Sequence, residues 1–347
     1  MSAIQKILDT YMNVVETGYT GQPAKRYKSY AVSTLRGGVG KSTLSFNLSY
    51  ELAKRGRSVL VGDLCPQCNL TETLMRNYDH DVTVYKALQP KILGEAFGDT
   101  RMSDVSYRIS EYCEAFKGMS PCYLFPGDPL MFAFPSTLYQ QLSTANSQAN
   151  SAAVGKLLMS LKSILDAECA LKKCDTVLLD TSPFYAGGTH LAWCAAEAII
   201  IPVRVDEHSI ESLNLTLNML SDPSKDFMTW NKRGGDLQTP KVAAIVMTMA
   251  GARSATKSVL DRASQMYIER AVILAEKYSN LFDHQSPSDA IAITDDFVSA
   301  GRISGAESIP ISRLKVGKFH TIQGRRLQVN DSVSRYQKEL QYLASII

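Results

Sequence analysis

Residues 36–43, Arg36-Gly37-Gly38-Val39-Gly40-Lys41-Ser42-Thr43, set glycines beside two cations and two hydroxyls. That set suits the binding of a polyphosphate. Backbone N–H groups of Gly37, Gly38, Val39 and Gly40 can turn toward one anion because little side chain stands in the way. Lys41 supplies a full positive charge for β- and γ-phosphates, the Ser42 hydroxyl can ligate Mg²⁺, and Thr43 is near enough for the α-phosphate. A helix opening at Ser42 would aim its positive dipole end and unpaired N–H groups at the same point. The loop follows an apolar strand and precedes a helical pattern, which is the setting a phosphate-binding loop requires.

Further chemistry-bearing residues sit at strand ends. Asp63 closes SVLVGD (58–63) and Asp180 closes TVLLD (176–180). Cys65-Pro66-Gln67-Cys68 follows the first of these. Taken alone, a C-P-x-C run suggests thiol–disulfide chemistry or half of an inter-subunit metal site. No second CxxC completes a four-thiolate site in the chain. His80, His190, His208, His284 and His320 show no metal-ligand spacing, and no Ser-His-Asp order or paired-carboxylate signature stands out.

Positioning these residues takes a layered α/β scaffold. YAVSTL (30–35), SVLVGD, CYLF (122–125), TVLLD, AIIIPV (198–203) and VAAIVMT (242–248) are short and apolar along their whole length. Such strands belong in a parallel sheet covered on both faces. STLSFNLSYELAKRG (42–56) reads as an amphipathic helix ended by Gly56. The alternation predicts one doubly wound domain with a mostly parallel sheet over residues 29–347. Residues 1–28 read as a short helical arm, packed on its own domain or offered to a partner. Polar stretches near 74–121, 221–240 and 283–308 read as insertions.

Composition narrows the class. The chain has 347 residues, 45% hydrophobic and 20% charged, with a net charge of +3. That describes a globular core with no chain-wide basic field, so any nucleic-acid surface must be local. Seven cysteines, an odd number without a secretory pattern before them, read as reduced thiols in a cytosolic protein. No apolar run approaches the roughly 20 residues of a membrane span.

The run from Arg36 to Thr43 resembles the deviant Walker A motif of the ParA/MinD family of dimeric ATPases, written Lys-Gly-Gly-x-Gly-Lys-Ser/Thr-Ser/Thr. This accounts for Leu35, where the usual motif opens on glycine. VLVGDLCPQCNLT (59–71) resembles the family's Asp-x-Asp-Pro-Gln-Gly-Asn segment, CDTVLLDTSPF (174–184) its Walker B strand and second switch, and IIIPVRVDEHSIESL (199–213) the strand and loop after it. IVMTMAGARS (245–254) and SIPIS (308–312) resemble the late strand and adenine-side loop more loosely. The resemblance implies ATP and Mg²⁺ as cofactors, with Ser42 and Asp180 at the metal and Thr248 and Pro310 on the adenine side. It also implies an ATP-bound homodimer in which Arg36 reaches the partner's nucleotide, or instead forms a local salt bridge.

Two departures bear on turnover. The family's second aspartate is Cys65 here, and a thiol does not orient water as a carboxylate does. Asp63, two residues earlier on the same side of the strand, is a partial substitute. The family's glycine after Gln is Cys68. Nucleotide binding is thus expected to survive better than hydrolysis, giving a slow, partner-stimulated ATPase or a nucleotide-locked scaffold.

The resemblance further implies nonspecific DNA binding by the ATP-bound dimer, a ParB-like or other cargo-adaptor partner, and a nucleoid-associated cytoplasmic protein that partitions or positions DNA or another large cargo. Arg313, Lys315, Lys318, Arg325 and Arg326 lie in a run without acidic residues, and Arg253, Lys257 and Arg262 form a looser basic set. A MinD-like membrane helix is the alternative for 331–347. Its stripe of Val333, Tyr336, Leu340, Leu343 and Ile347 faces a polar side too weakly cationic for a membrane surface, so docking on the sheet is expected.

Overall fold

The computed structural model describes residues 2–76, 80–250, 252–254 and 257–347; the side chains of 251–259 are outside the described set. Eight strands form the central sheet: β1 (Ser29–Val32), β2 (Val59–Asp63), β3 (Tyr107–Arg108), β4 (Cys122–Phe125), β5 (Thr176–Asp180), β6 (Ala198–Arg204), β7 (Lys241–Thr248) and, after the small β8 (Ala252–Ser254)–β9 (Lys257–Leu260) pair, β10 (Ile291–Ile293). Their order is β10-β7-β6-β1-β5-β2-β4-β3, parallel throughout except for β3. From central β1 the chain builds outward on the β5 side and then returns to build on the β6 side. Reversal of strand order beside β1 leaves a crevice at its C-terminal end, where ligands bind in open α/β sheets.

Each strand divides its side chains between two cores. In β1, Ala31 enters one and Tyr30 and Val32 the other. The first core is covered by α1 (Ala3–Thr17) and by α4 (Val84–Leu93) through α11, comprising α5 (Phe134–Ser147), α6 (Ser151–Leu158), α7 (Ser160–Lys172), α8 (Gly188–Ala195), α9 (Glu207–Ser221), α10 (Asp226–Arg233) and α11 (Arg262–Lys277). The second is covered by α2 (Lys41–Lys54), α3 (Asn69–Met75), α12 (Val298–Glu307) and α13 (Val333–Ser345). Helix α2 looks amphipathic in sequence, yet residues 44–53 are all buried. It lies between the sheet and α13, so both its faces are covered.

Several boundaries differ from the sequence reading. In the 1–28 segment the packed alternative is the one seen: α1 docks on α13 and α11, burying Ile7, Tyr11 and Val14. The supposed insertions are integral. Residues 74–121 supply α4 and edge strand β3, and 221–240 supply α10 with fully buried Phe227. Residues 283–308 supply β10, a strand of the main sheet, and α12. A three-residue strand among Asp, Ser and Gly carries too little periodicity to be read alone. The apolar stripe of 331–347 is buried in the chain's own core.

Candidate nucleotide site

The glycine loop leaves β1 at its C-terminal end and delivers the chain into α2. Gly38 (φ +73°) and Gly40 (φ +87°) occupy the left-handed region, and a Cβ added at either would meet nothing within 4 Å. Their need for glycine is therefore conformational, and the space above them is open, as a cradle for an anion must be. Residues Gly37, Gly38, Gly40, Lys41, Ser42 and Thr43 line a cavity of about 190 Å³ together with Cys65, Asn69 and Pro183. Val39 is buried and carries its carbonyl toward Thr248 Oγ1, 3.3 Å away.

Lys41 is nearly buried, and its Nζ donates to the Arg36 carbonyl at 2.8 Å. Burial pushes its pKa down, opposed by the charge of Asp180. Ser42 Oγ donates to Asp180 Oδ2 at 2.6 Å, and Ser45 Oγ to Asp180 Oδ1 at 2.7 Å. Full burial, and then the neighbouring Asp63, lift the Asp180 carboxyl to about 7. A hydroxyl and an anionic oxygen in contact, in a site that penalises negative charge, form a donor set that fits a hard divalent cation. Ser42 and Asp180 would hold Mg²⁺ there, and the ion would neutralise charge on the phosphates that the loop amides bind.

Asp63 pairs with Asp180 in the β2–β5 register. Its Oδ1 accepts from Cys65 N at 3.1 Å, and its Oδ2 from Thr71 N at 2.9 Å and Thr71 Oγ1 at 2.8 Å. Gly127 N donates to that same Thr71 hydroxyl. A Cβ on Gly127 would lie 3.0 Å from Asp63 Cγ, so the close approach requires glycine. Both oxygens of Asp63 thus shape the loop between β2 and α3, a role sequence reasoning missed. Burial pushes the Asp63 carboxyl up while the Thr71 and Cys65 hydrogen bonds pull it down.

Cys65 is 4% exposed and lines the phosphate cavity. Cys68 is the N-cap of α3 and adopts φ +54°, a left-handed conformation that glycine takes without strain. Burial lifts the Cys65 thiol to about 11 and the Cys68 thiol to about 12. Both are protonated at neutral pH and poor nucleophiles, which weighs against the thiol–disulfide reading. All seven cysteines are free, and no cluster of His, Cys, Asp or Glu suited to a metal occurs among the described residues.

Arg36 Nη1 lies 2.9 Å from Asp206 Oδ1, the residue that caps α9. Arg204 reaches the other oxygen of Asp206 at 3.3 Å. Within one chain, then, Arg36 makes the local salt bridge.

A second cavity, of about 280 Å³, adjoins the loop through Gly40 and Thr43. Thr248 lines it, but Pro310 does not; Pro310 lies beyond α12 and begins a short 3₁₀ turn. The facing wall is Thr294, Asp295, Asp296 and Phe297 after β10, which sequence reasoning assigned to an insertion. Thr-Asp-Asp directly after the apolar AIAI (290–293) was the available signal. Asp295 is tied to α13 by an ion pair with Arg335 and by its N–H to Glu339 Oε2 at 3.0 Å.

The basic run folds into a hairpin, β11 (Phe319–Ile322) and β12 (Arg325–Gln328), beside α12. Arg313, Lys315, Lys318, Arg325 and Arg326 are all exposed. Arg326 stacks over the half-exposed Phe319 ring at 4.0 Å. The Arg253 and Lys257 side chains lie outside the described residues. No helix among the described residues is long and apolar enough to cross a membrane.

Comparison with known proteins bears on the family and the fold. The family model described as AAA domain (AAA_31) matches residues 27–229. The sporulation initiation inhibitor protein Soj of Bacillus subtilis is 25% identical over 228 residues, 65% of this chain and 74% of Soj. An uncharacterized protein of Methanocaldococcus jannaschii is 27% identical over 192 residues, so 55% of this chain matches 64% of that relative's length. Among solved structures, an ATP complex of Cyanothece McdA superposes with a TM-score of 0.57 at 18% identity, covering 82% of this chain and 89% of McdA. A putative plasmid partition protein from Borrelia burgdorferi bound to AMPPNP gives 0.52 at 15% identity, covering 93% and 98%. With its model spanning 27–229 of 347 residues, the chain belongs to the AAA domain (AAA_31) family, among the P-loop ATPases of the ParA/MinD type.

Proposed function

We propose that this chain is a ParA-like, ATP-dependent switch that dimerises with ATP and Mg²⁺, binds DNA without sequence preference, and partitions or positions DNA or another large cargo through an adaptor protein. The observation that carries the reading is Ser42 against Asp180 at 2.6 Å beside an open glycine cradle. The exposed basic hairpin supports the DNA arm, because several Lys and Arg contacts to phosphates give affinity without base reading.

A second reading has its own support: a nucleotide-locked scaffold with little hydrolysis. Asp63 has both oxygens engaged, the Cys65 thiol stays protonated, and Arg36 is held by Asp206. Among the described residues no free carboxylate lines the phosphate cavity to order an attacking water. Binding and turnover measured together separate the two. Magnesium-dependent ATP binding, a dimer with ATP in light scattering, and retention of duplex DNA are expected, all lost in Lys41→Ala. Hydrolysis stimulated by DNA and adaptor identifies the cycling switch; tight binding without turnover identifies the scaffold. Undiminished ATP binding by Lys41→Ala would refute both.

A further inference from the structure

We propose that a separate cavity, between α2, α3 and α12, binds a free α-amino acid, with its carboxylate on Arg76 and its ammonium on Glu72. The proposal does not rest on the nucleotide reading. This cavity measures about 530 Å³ and meets the phosphate cavity only along Ser42, Thr43 and Asn69. The rest of its wall comes from α2, α3 and the end of α12.

Two opposite charges stand over this space without joining. Glu72 and Arg76 lie one helical turn apart at the end of α3, both exposed and both lining the cavity. Glutamate four residues before a cation is the order that ordinarily pairs on a helix. Arg76 turns away from that pairing. It ends α3 at φ +59° and ψ −150°, at the edge of a region that glycine occupies almost alone. Its Nη2 donates to the Glu307 carbonyl of α12, 3.3 Å away. The guanidinium thus reaches the α12 side, while the Glu72 carboxylate makes no ion pair among the described residues. A ligand that carries both charges satisfies both groups. A simple anion meets repulsion from Glu72, and a simple amine meets it from Arg76.

The α12 wall carries an unspent hydrogen-bonding group. Ser304 is fully buried and lines the cavity, and its Oγ has no hydrogen-bond partner. A buried hydroxyl left unpaired is unfavourable, so it persists where something else is gained. A serine hydroxyl both donates and accepts, and can serve either end of an amino acid. Next to it, a Cβ added to Gly305 would meet nothing within 4 Å, so that side of the cavity is open space. Ala306 and Phe46 supply apolar surface for the ligand's own side chain.

The test titrates the full chain by calorimetry with the common L-α-amino acids, and then with the N-acetyl and carboxamide derivatives of the tightest binder. At least one amino acid should bind, and blocking either end should weaken it about tenfold or more, because each block removes one charged contact. Glu72→Gln should weaken it to the same degree. Arg76→Gly suits the local backbone, so it should keep the fold and still lose binding. Ser304→Ala should weaken binding several-fold without lowering the melting temperature, since it removes an unpaired buried hydroxyl. Saturating Mg²⁺ with ATP should leave the amino acid bound. Absence of binding by every amino acid at about 10 mM overturns the proposal. So does binding that survives acetylation and amidation, or that is undiminished in Glu72→Gln and Arg76→Gly. Displacement of the amino acid by ATP would give the space to the nucleotide and overturn the proposal as well, leaving the nucleotide reading intact.

Discussion

Replacing Cys65 by aspartate restores the carboxylate that the family motif carries and sets two effects against each other. Position 65 is 4% exposed and lies near Asp63 and Asp180. Those surroundings lift the Cys65 thiol from 9.0 to about 11. A carboxylate at the same place faces a comparable penalty, about 3 kcal/mol at roughly 1.4 kcal/mol per pH unit. In the nucleotide-free chain near pH 7.5, Cys65→Asp should therefore lower the melting temperature by about 4 °C. Mg²⁺ with ATP should return part of that loss, because a cation beside Asp180 offsets the added charge. The same carboxylate can order a water toward the γ-phosphate, and turnover should rise at least tenfold over the wild type, a floor set below the ~10²–10⁴ range of a positioned base. Cys65→Ser controls for size and should change neither quantity much. Scanning calorimetry and phosphate release on the three proteins decide the matter. An aspartate variant that melts with the wild type and hydrolyses ATP no faster would refute the placement of residue 65 beside the reacting phosphate.

Stability should fall as pH rises from 6.5 to 8.5. Burial lifts Asp180 to about 7 and Glu339 to about 8, so the folded chain holds protons that the unfolded chain has released. His190, buried neutral with its pKa lowered to about 3, pulls the other way only below pH 6.5. A melting temperature that rises over that interval would contradict the assignment, and saturating Mg²⁺ with ATP should flatten the fall. Tyr11→Phe removes the 2.9 Å hydrogen bond from the phenol to buried Glu339 and should cost about 1–2 kcal/mol by urea denaturation; a loss under about 0.3 kcal/mol would mean that α1 does not dock on α13 through it. The double variant Arg325→Ala/Arg326→Ala should weaken DNA retention and reduce the log–log salt slope by about 1.8, whereas an unchanged slope would remove the hairpin from the DNA surface.

The sequence by itself determined the phosphate loop and the sheet that presents it. TVLLD and CYLF became β5 and β4 residue for residue, because a strand buried on both faces must be apolar throughout. Glycines in a fixed order before Lys41-Ser42 admit few other conformations. What only the tertiary structure decided were the partners of the charged groups. Asp63 looked available for water, yet Thr71 and Gly127, brought in from other elements, occupy its environment. Arg36 looked free to reach outward, yet the end of β6 brings Asp206 to it. One wall of the cavity beside the glycine loop lay in Thr294–Phe297, behind a three-residue strand that pairs with β7 across more than 40 residues of chain. Local propensity sees neighbours in sequence; hydrogen bonds and ion pairs across a sheet depend on register, which no short window contains.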